Sequence, residues 1–214
     1  MKKLLLLFIM GFLCSCEIQY DISTRYVFEG HITDRNNQPI KNQTIELWIY
    51  NSHDTDLISY TTSSENGSFE MVIPKPTNER EFEVRVLGNS QYRQKAYVNI
   101  WESDIKNYYF PLDNVTLIEN DDITQLQIAL NQINPENTIT KMELDGLLAD
   151  LTVWVNPLET EYPEYYYDMY SKTVAKNQIL DLHYEVTNSS GQTNGFDEQI
   201  IVGNEVETPY TITY

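Results

Sequence analysis

The chain has 214 residues, with 32 acidic side chains against 14 basic ones and a formal charge of −18 at pH 7. Such an excess of negative charge repels phosphate backbones and anionic head groups, which argues against a nucleic-acid partner and against attachment to a bilayer by charge. Both cysteines, Cys14 and Cys16, fall near the amino terminus, so no disulfide can staple a core further along. The length suits one large or two ordinary domains, and domains of that size can build sufficient cores without staples.

Met1-Lys2-Lys3 is a charged start, and Leu4 to Leu13 is an apolar run too short to cross a bilayer as a helix. The pair reads as an export signal rather than a membrane span. It ends in Leu13-Cys14-Ser15-Cys16, which resembles the lipobox of bacterial lipoproteins. The resemblance implies that residues 1–15 are removed, that Cys16 carries a diacylglycerol, and that its new amino group is acylated, with palmitate as one such chain. Acyl chains contribute about 0.8 kcal/mol per buried methylene, and stable anchoring needs more than one. The expected location is the cell envelope, lipid-anchored at the outer membrane on either face. Residues 16–25 would be a short polar tether.

From Tyr26 the chain becomes a series of β-rich runs between turn-forming residues. Tyr26 to Thr33 is the first, followed by the turn cluster Asp34 to Pro39. Gln43 to Tyr50 is rich in β-branched and aromatic residues, and Leu57 to Thr62 is a further candidate. Glu65-Asn66-Gly67 reads as a turn into Ser68 to Ile73. Glu81 to Val86 alternates cleanly, with Phe82, Val84 and Val86 on one face. Tyr97 to Trp101 and Asn107 to Leu112 complete a set expected to form a sandwich over residues 26–112.

That stretch resembles the carboxypeptidase-regulatory-like domain, a transthyretin-like sandwich that shares a carbohydrate-binding-like fold. The resemblance rests on Gly30, Ile32-x-Asp34, Pro39-Ile40 leading into Ile45-x-Leu47, the Thr61-Thr62 segment and Asn66-Gly67-x-Phe69. Where the family commonly has glycine in its first turn, this chain has Asn36-Asn37, and asparagine tolerates left-handed backbone. The resemblance implies a fold and no catalytic residue.

Residues 113–214 restart the pattern. Thr124 to Asn131 fits either a strand, with Leu126, Ile128 and Leu130 alternating, or a helix behind Asp122 with a stripe of Ile123, Leu126, Leu130 and Ile133. The turn Asn134 to Asn137 and the β texture of Thr138 to Leu144 favour the strand. Asp145-Gly146 precedes Leu151 to Val155, Leu180 to Thr187 alternates strictly, and Glu198 to Val202 and Tyr210 to Tyr214 close the chain. The expectation is a second sandwich of immunoglobulin-like or fibronectin-like texture, and an all-β protein overall.

Motifs that carry chemistry are scarce. His31, His53 and His183 have no metal-ligand spacing among them, and no nucleophile elbow, phosphate loop or dinucleotide fingerprint occurs. With 32 carboxylates, close acidic pairs arise by chance and discriminate nothing. Asp54-x-Asp56 and Asn120-Asp121-Asp122 could offer oxygens to calcium, but solvated turns explain them.

The unusual segment is Tyr162 to Tyr170, where Tyr162, Tyr165, Tyr166, Tyr167 and Tyr170 crowd around Pro163. Rings of this kind stack on sugar faces or anchor interfaces. The leading expectation is a lipid-anchored envelope protein with a non-catalytic binding or structural role, accessory to outer-membrane or surface machinery of the Bacteroidota type. It needs no cofactor and no metal, and its partner is an envelope protein or a glycan. A glycan-binding module using the tyrosine segment is the alternative, and a hydrolase without a readable motif is the third.

Overall fold

The structure, a computed structural model, describes residues 18–50, 55–157 and 169–214. These residues are all-β apart from one short 3-10 turn, Glu102–Asp104, and no helix among them is long and apolar enough to cross a membrane. Cys16, Tyr162, Tyr165, Tyr166 and Tyr167 lie outside the described residues. So do His53 and Asp54, the first member of one expected acidic turn.

Seven described strands up to residue 117 belong to the first sandwich: β1 Tyr20–Asp34, β2 Thr44–Tyr50, β3 Thr55–Thr62, β4 Ser68–Pro76, β5 Glu81–Val86, β6 Lys95–Trp101 and β7 Tyr109–Leu117. The rest of the chain adds β8 Ile123–Asn131, β9 Thr138–Asp145, β10 Thr152–Trp154, β11 Met169–Ala175, β12 Ile179–Thr187, β13 Thr193–Ile201 and β14 Glu207–Thr213. One three-stranded sheet runs β4-β1-β7 and faces a five-stranded sheet ordered β10-β6-β5-β2-β3. Their inner faces share one core, in which Phe28 of β1 meets Phe82 of β5 and Phe110 of β7 at centroid distances of 5.5 and 5.6 Å. Period-two alternation produces this burial: Ile45, Leu47 and Ile49 point inward from β2, and Phe82, Val84 and Val86 from β5.

The second sandwich pairs β11-β8-β14 with β13-β12-β9 around Leu126, Ile128, Leu182, Tyr184 and Ile212. Residues 123–131 form the strand, not the helix. Thr124, Leu126 and Ile128 are buried in alternation, and β11 pairs antiparallel with β8 from Ile123 to Ala129. Asn37 takes φ 60° in the first turn, a left-handed conformation that asparagine tolerates.

Three placements depart from the expected organisation. Ile18 is buried and β1 begins at Tyr20, paired with Pro76, so part of the expected 16–25 tether packs into the first core. An apolar side chain within reach of a sandwich gains more by burial than by hydration. β7 runs on past residue 112, because Val115 and Leu117 are buried beside β1. Finally, β10 pairs parallel with β6, so residues 152–154 belong to a sheet of the first sandwich although they follow β8 and β9 in the chain.

The junction between the sandwiches has its own small apolar cluster of Ile118, Ala149 and Ala175. Beside it, Arg35 pairs with Asp122 and donates to the carbonyls of Lys176 at 2.8 Å and Asn177 at 3.2 Å. Asp122, of the acidic turn at 120–122, is therefore held by an arginine.

Candidate functional site

Of the tyrosines expected to form a recognition patch, the described one is Tyr170. It sits on β11 opposite Ile128, half-buried against the second core. Segment 158–168, which holds the other four, connects β10 to β11 in the chain.

The described aromatic surface lies elsewhere, on the outer face of the five-stranded sheet. Because alternate residues of β2 and β5 point into the core, Glu46, Trp48, Tyr50, Glu83 and Arg85 point away from it. Strand register then aligns these residues into rows. Trp154 stands opposite Val98, Glu83 opposite Trp48, and Trp48 opposite Leu57. A parallel row runs Thr152, Ala96, Arg85, Glu46 and Tyr60. A third brings Trp101 and Tyr50 to either side of Glu81. At about 4.8 Å per strand, β10 and β2 are roughly 14 Å apart. Tyr60 is 74% exposed, Trp154 49% and Trp101 37%.

Polar partners hold the rings in place. The Arg85 guanidinium lies 4.6 Å from the centroid of Trp48, whose indole Nε1 donates to Glu46 at 2.8 Å. Arg85 also donates to the Tyr50 hydroxyl at 2.7 Å and pairs with Glu83. Tyr50 in turn donates to Glu83. Burial and the Glu83 carboxylate together raise the Tyr50 pKa above its ordinary value, and the hydrogen bond to Glu83 raises that of Arg85. Every charge in the network thus has a partner, while flat rings stay open to solvent. Trp101 Nε1 donates to Asn99 Oδ1 at 2.7 Å, which fixes a further ring at the edge of the face.

Two depressions flank this face. One of about 300 Å3 lies among Arg85, Lys95, Val98 and Thr152. A larger one of about 450 Å3 adjoins it through the shared Thr152 and reaches Trp154, Arg93 and Lys172. Among the described residues no group of three or more His, Cys, Asp or Glu could hold a metal ion. The arrangement suits reversible contact: rings for apolar surfaces, and fixed hydrogen-bonding groups between them.

Sequence reasoning missed this face although half of its signal was visible. The alternation of β2 and β5 implies outward Trp48 and Arg85. What was not legible is that β10, from the far half of the chain, completes the sheet and brings Trp154 alongside.

No family model matches the chain, and no curated protein does. Among solved structures it is similar to a 9R-lipoxygenase from Cyanothece PCC8801, at 17% identity and TM-score 0.34, over 53% of this chain and 20% of that one. It is also similar to BcpA, the major pilin subunit of Bacillus cereus, in a D312A form, at 10% identity and TM-score 0.31, over 84% of this chain and 69% of that one. A family CBM26 module of Eubacterium rectale Amy13K, in complex with maltoheptaose, is similar at 11% identity and TM-score 0.25, over 89% and 92% of the two chains. The chain spans only a fifth of the lipoxygenase's length. Likenesses this slight say nothing of a ligand, and the chemistry of the face rests on its own residues.

Proposed function

We propose that this chain is a lipid-anchored, non-catalytic protein of the cell envelope that binds glycans on the outer face of its five-stranded sheet. The observation that supports this reading is the row geometry: Trp101, Trp154 and Tyr60 are exposed, and half-buried Trp48 lies among charged groups already paired with one another. Indole and phenol rings stack on the apolar faces of sugar rings, and fixed polar groups between them serve hydroxyls. A continuous apolar partner surface would have to bury Glu46, Glu83 and Arg85 among its contacts, which costs desolvation that a hydroxyl-rich ligand offsets. Tyr162, Tyr165, Tyr166, Tyr167 and Tyr170 are carried in the same proposal as further contributors to binding. The two-sandwich organisation and the Cys16 anchor belong to it as well.

A panel of immobilised polysaccharides presented to the full chain tests the reading. The double change Trp48→Ala and Trp154→Ala should weaken capture at least tenfold while leaving the unfolding midpoint nearly unmoved. Capture undiminished by that change would place binding elsewhere. In cells, Cys16→Ala should shift the protein from the membrane to the soluble fraction, and retention in washed membranes would reveal another anchor.

A further inference from the structure

The larger depression lies between two edge strands, β10 of the first sandwich and β11 of the second. In a chain with 32 acids and 14 bases, its chemistry is unexpectedly cationic. Arg93 and Lys172 line it, while Lys95 lines the adjoining depression and donates to the Leu148 carbonyl at 3.2 Å. The one acidic side chain in the lining is Asp150, 3.0 Å from Lys172.

Among the described residues the Arg93 guanidinium makes no ion pair and no side-chain hydrogen bond, and its Nε is buried without an acceptor. A buried donor left unpaired is costly and calls for an explanation. Burial lowers the Lys95 pKa, and the Asp150 carboxylate counters part of that shift. Half-exposed Trp154 supplies a ring beside these charges, and Thr152 and Thr173 supply hydroxyls.

We propose that this cleft binds the carboxylate of an acidic sugar, with Arg93 and Lys172 on the carboxylate and Trp154 against the sugar ring. The proposal rests on the glycan reading above and names the ligand class. A guanidinium presents its donors in a fork that matches a carboxylate's two oxygens. Asp150 offsets one of the lining cations, so the cleft favours a monoanion over a phosphate dianion. The −18 net charge does not overrule these local contacts, because beyond about 8 Å it is screened at physiological salt.

Titration calorimetry on the full chain tests this, using oligogalacturonate and oligoglucuronate, each against its own methyl ester, which removes the charge and keeps the sugar. At least one acid should bind tenfold or more tighter than its ester. Arg93→Gln should erase that preference without weakening the ester, and Asp150→Asn should widen it. Equal binding of acid and ester, or a preference that survives Arg93→Gln, overturns the assignment. So does acetate binding as tightly as the sugar acid, which would mark a simple anion site. Capture of neutral polysaccharides that depends on Trp48 would leave the glycan reading standing in each of those cases, and its loss would remove that reading separately.

Discussion

Arg35, just past the end of β1, pairs with Asp122, 87 residues away and just before β8. The same guanidinium caps the carbonyls of Lys176 and Asn177 after β11, so one side chain touches two segments of the second sandwich.

Arg35→Ala should therefore loosen the join more than either core. The pair is a quarter exposed on each side, so a cost of about 1–2 kcal/mol is expected, between a surface ion pair and a buried charged hydrogen bond. All three tryptophans lie on the five-stranded sheet, so their fluorescence reports the first sandwich while far-ultraviolet dichroism reports both. The two urea transitions should coincide in the parent chain and separate in the variant. Arg35→Lys should not restore coincidence, because an ammonium lacks the fork. Coincident transitions in Arg35→Ala would show that the apolar junction suffices.

Tyr184 and Tyr210 both donate their hydroxyls to Glu198. Burial first, and then the carboxylate, push each tyrosine up to about 12 from 10.0. Below pH 10 both folded and unfolded chains keep these protons, so the contribution is whole. Between pH 10 and 12 the unfolded chain releases them and the native one does not, so stability falls as pH rises. Glu198→Gln should bring both tyrosines part of the way down, burial remaining, and shrink this alkaline loss. Spectrophotometric titration of tyrosinate in the two chains measures the difference, and identical curves would dismiss the coupling.

Gly67 has φ +83°, and a Cβ there would lie 2.4 Å from the Ile32 carbonyl oxygen. That carbonyl cannot simply retreat, because it accepts from Ile40 N while Ile32 N donates back to Gly67 O. Gly191 has nearly the same φ, +79°, with open space around it. Gly191→Ala should cost only the left-handed penalty of about 1–2 kcal/mol, and Gly67→Ala clearly more. Urea midpoints at constant slope compare them, and equal losses would mean the backbone near Ile32 yields.

The local patterns were legible where one face is buried and the other wet. Leu180 to Val186 alternates on paper and in space, and so does Phe82 to Val86. Ile18 was not legible, since one apolar residue in a polar run carries no period. β10 was visible as the run Leu151 to Val155, but nothing local names β6, in the first sandwich, as its neighbour. The site suffered the same loss. Trp48 announces an outward ring from its own strand, whereas Arg93, Trp154 and Lys172 meet only through pairing between strands distant in sequence.

β1 is the earliest of the described strands and the middle strand of its sheet, held antiparallel by β4 and parallel by β7. A chain that emerges amino end first thus presents its longest described strand with one edge bare until Pro76 has followed and the other until Leu117. Until then that strand can pair with any passing strand, including its own copy in another chain. Its edges are protected in the interval by what they carry: Glu29 and Asp34 on β1 itself, and a nascent chain whose acidity repels its copies. The acidity of the finished protein is, on this account, also a safeguard for the unfinished one.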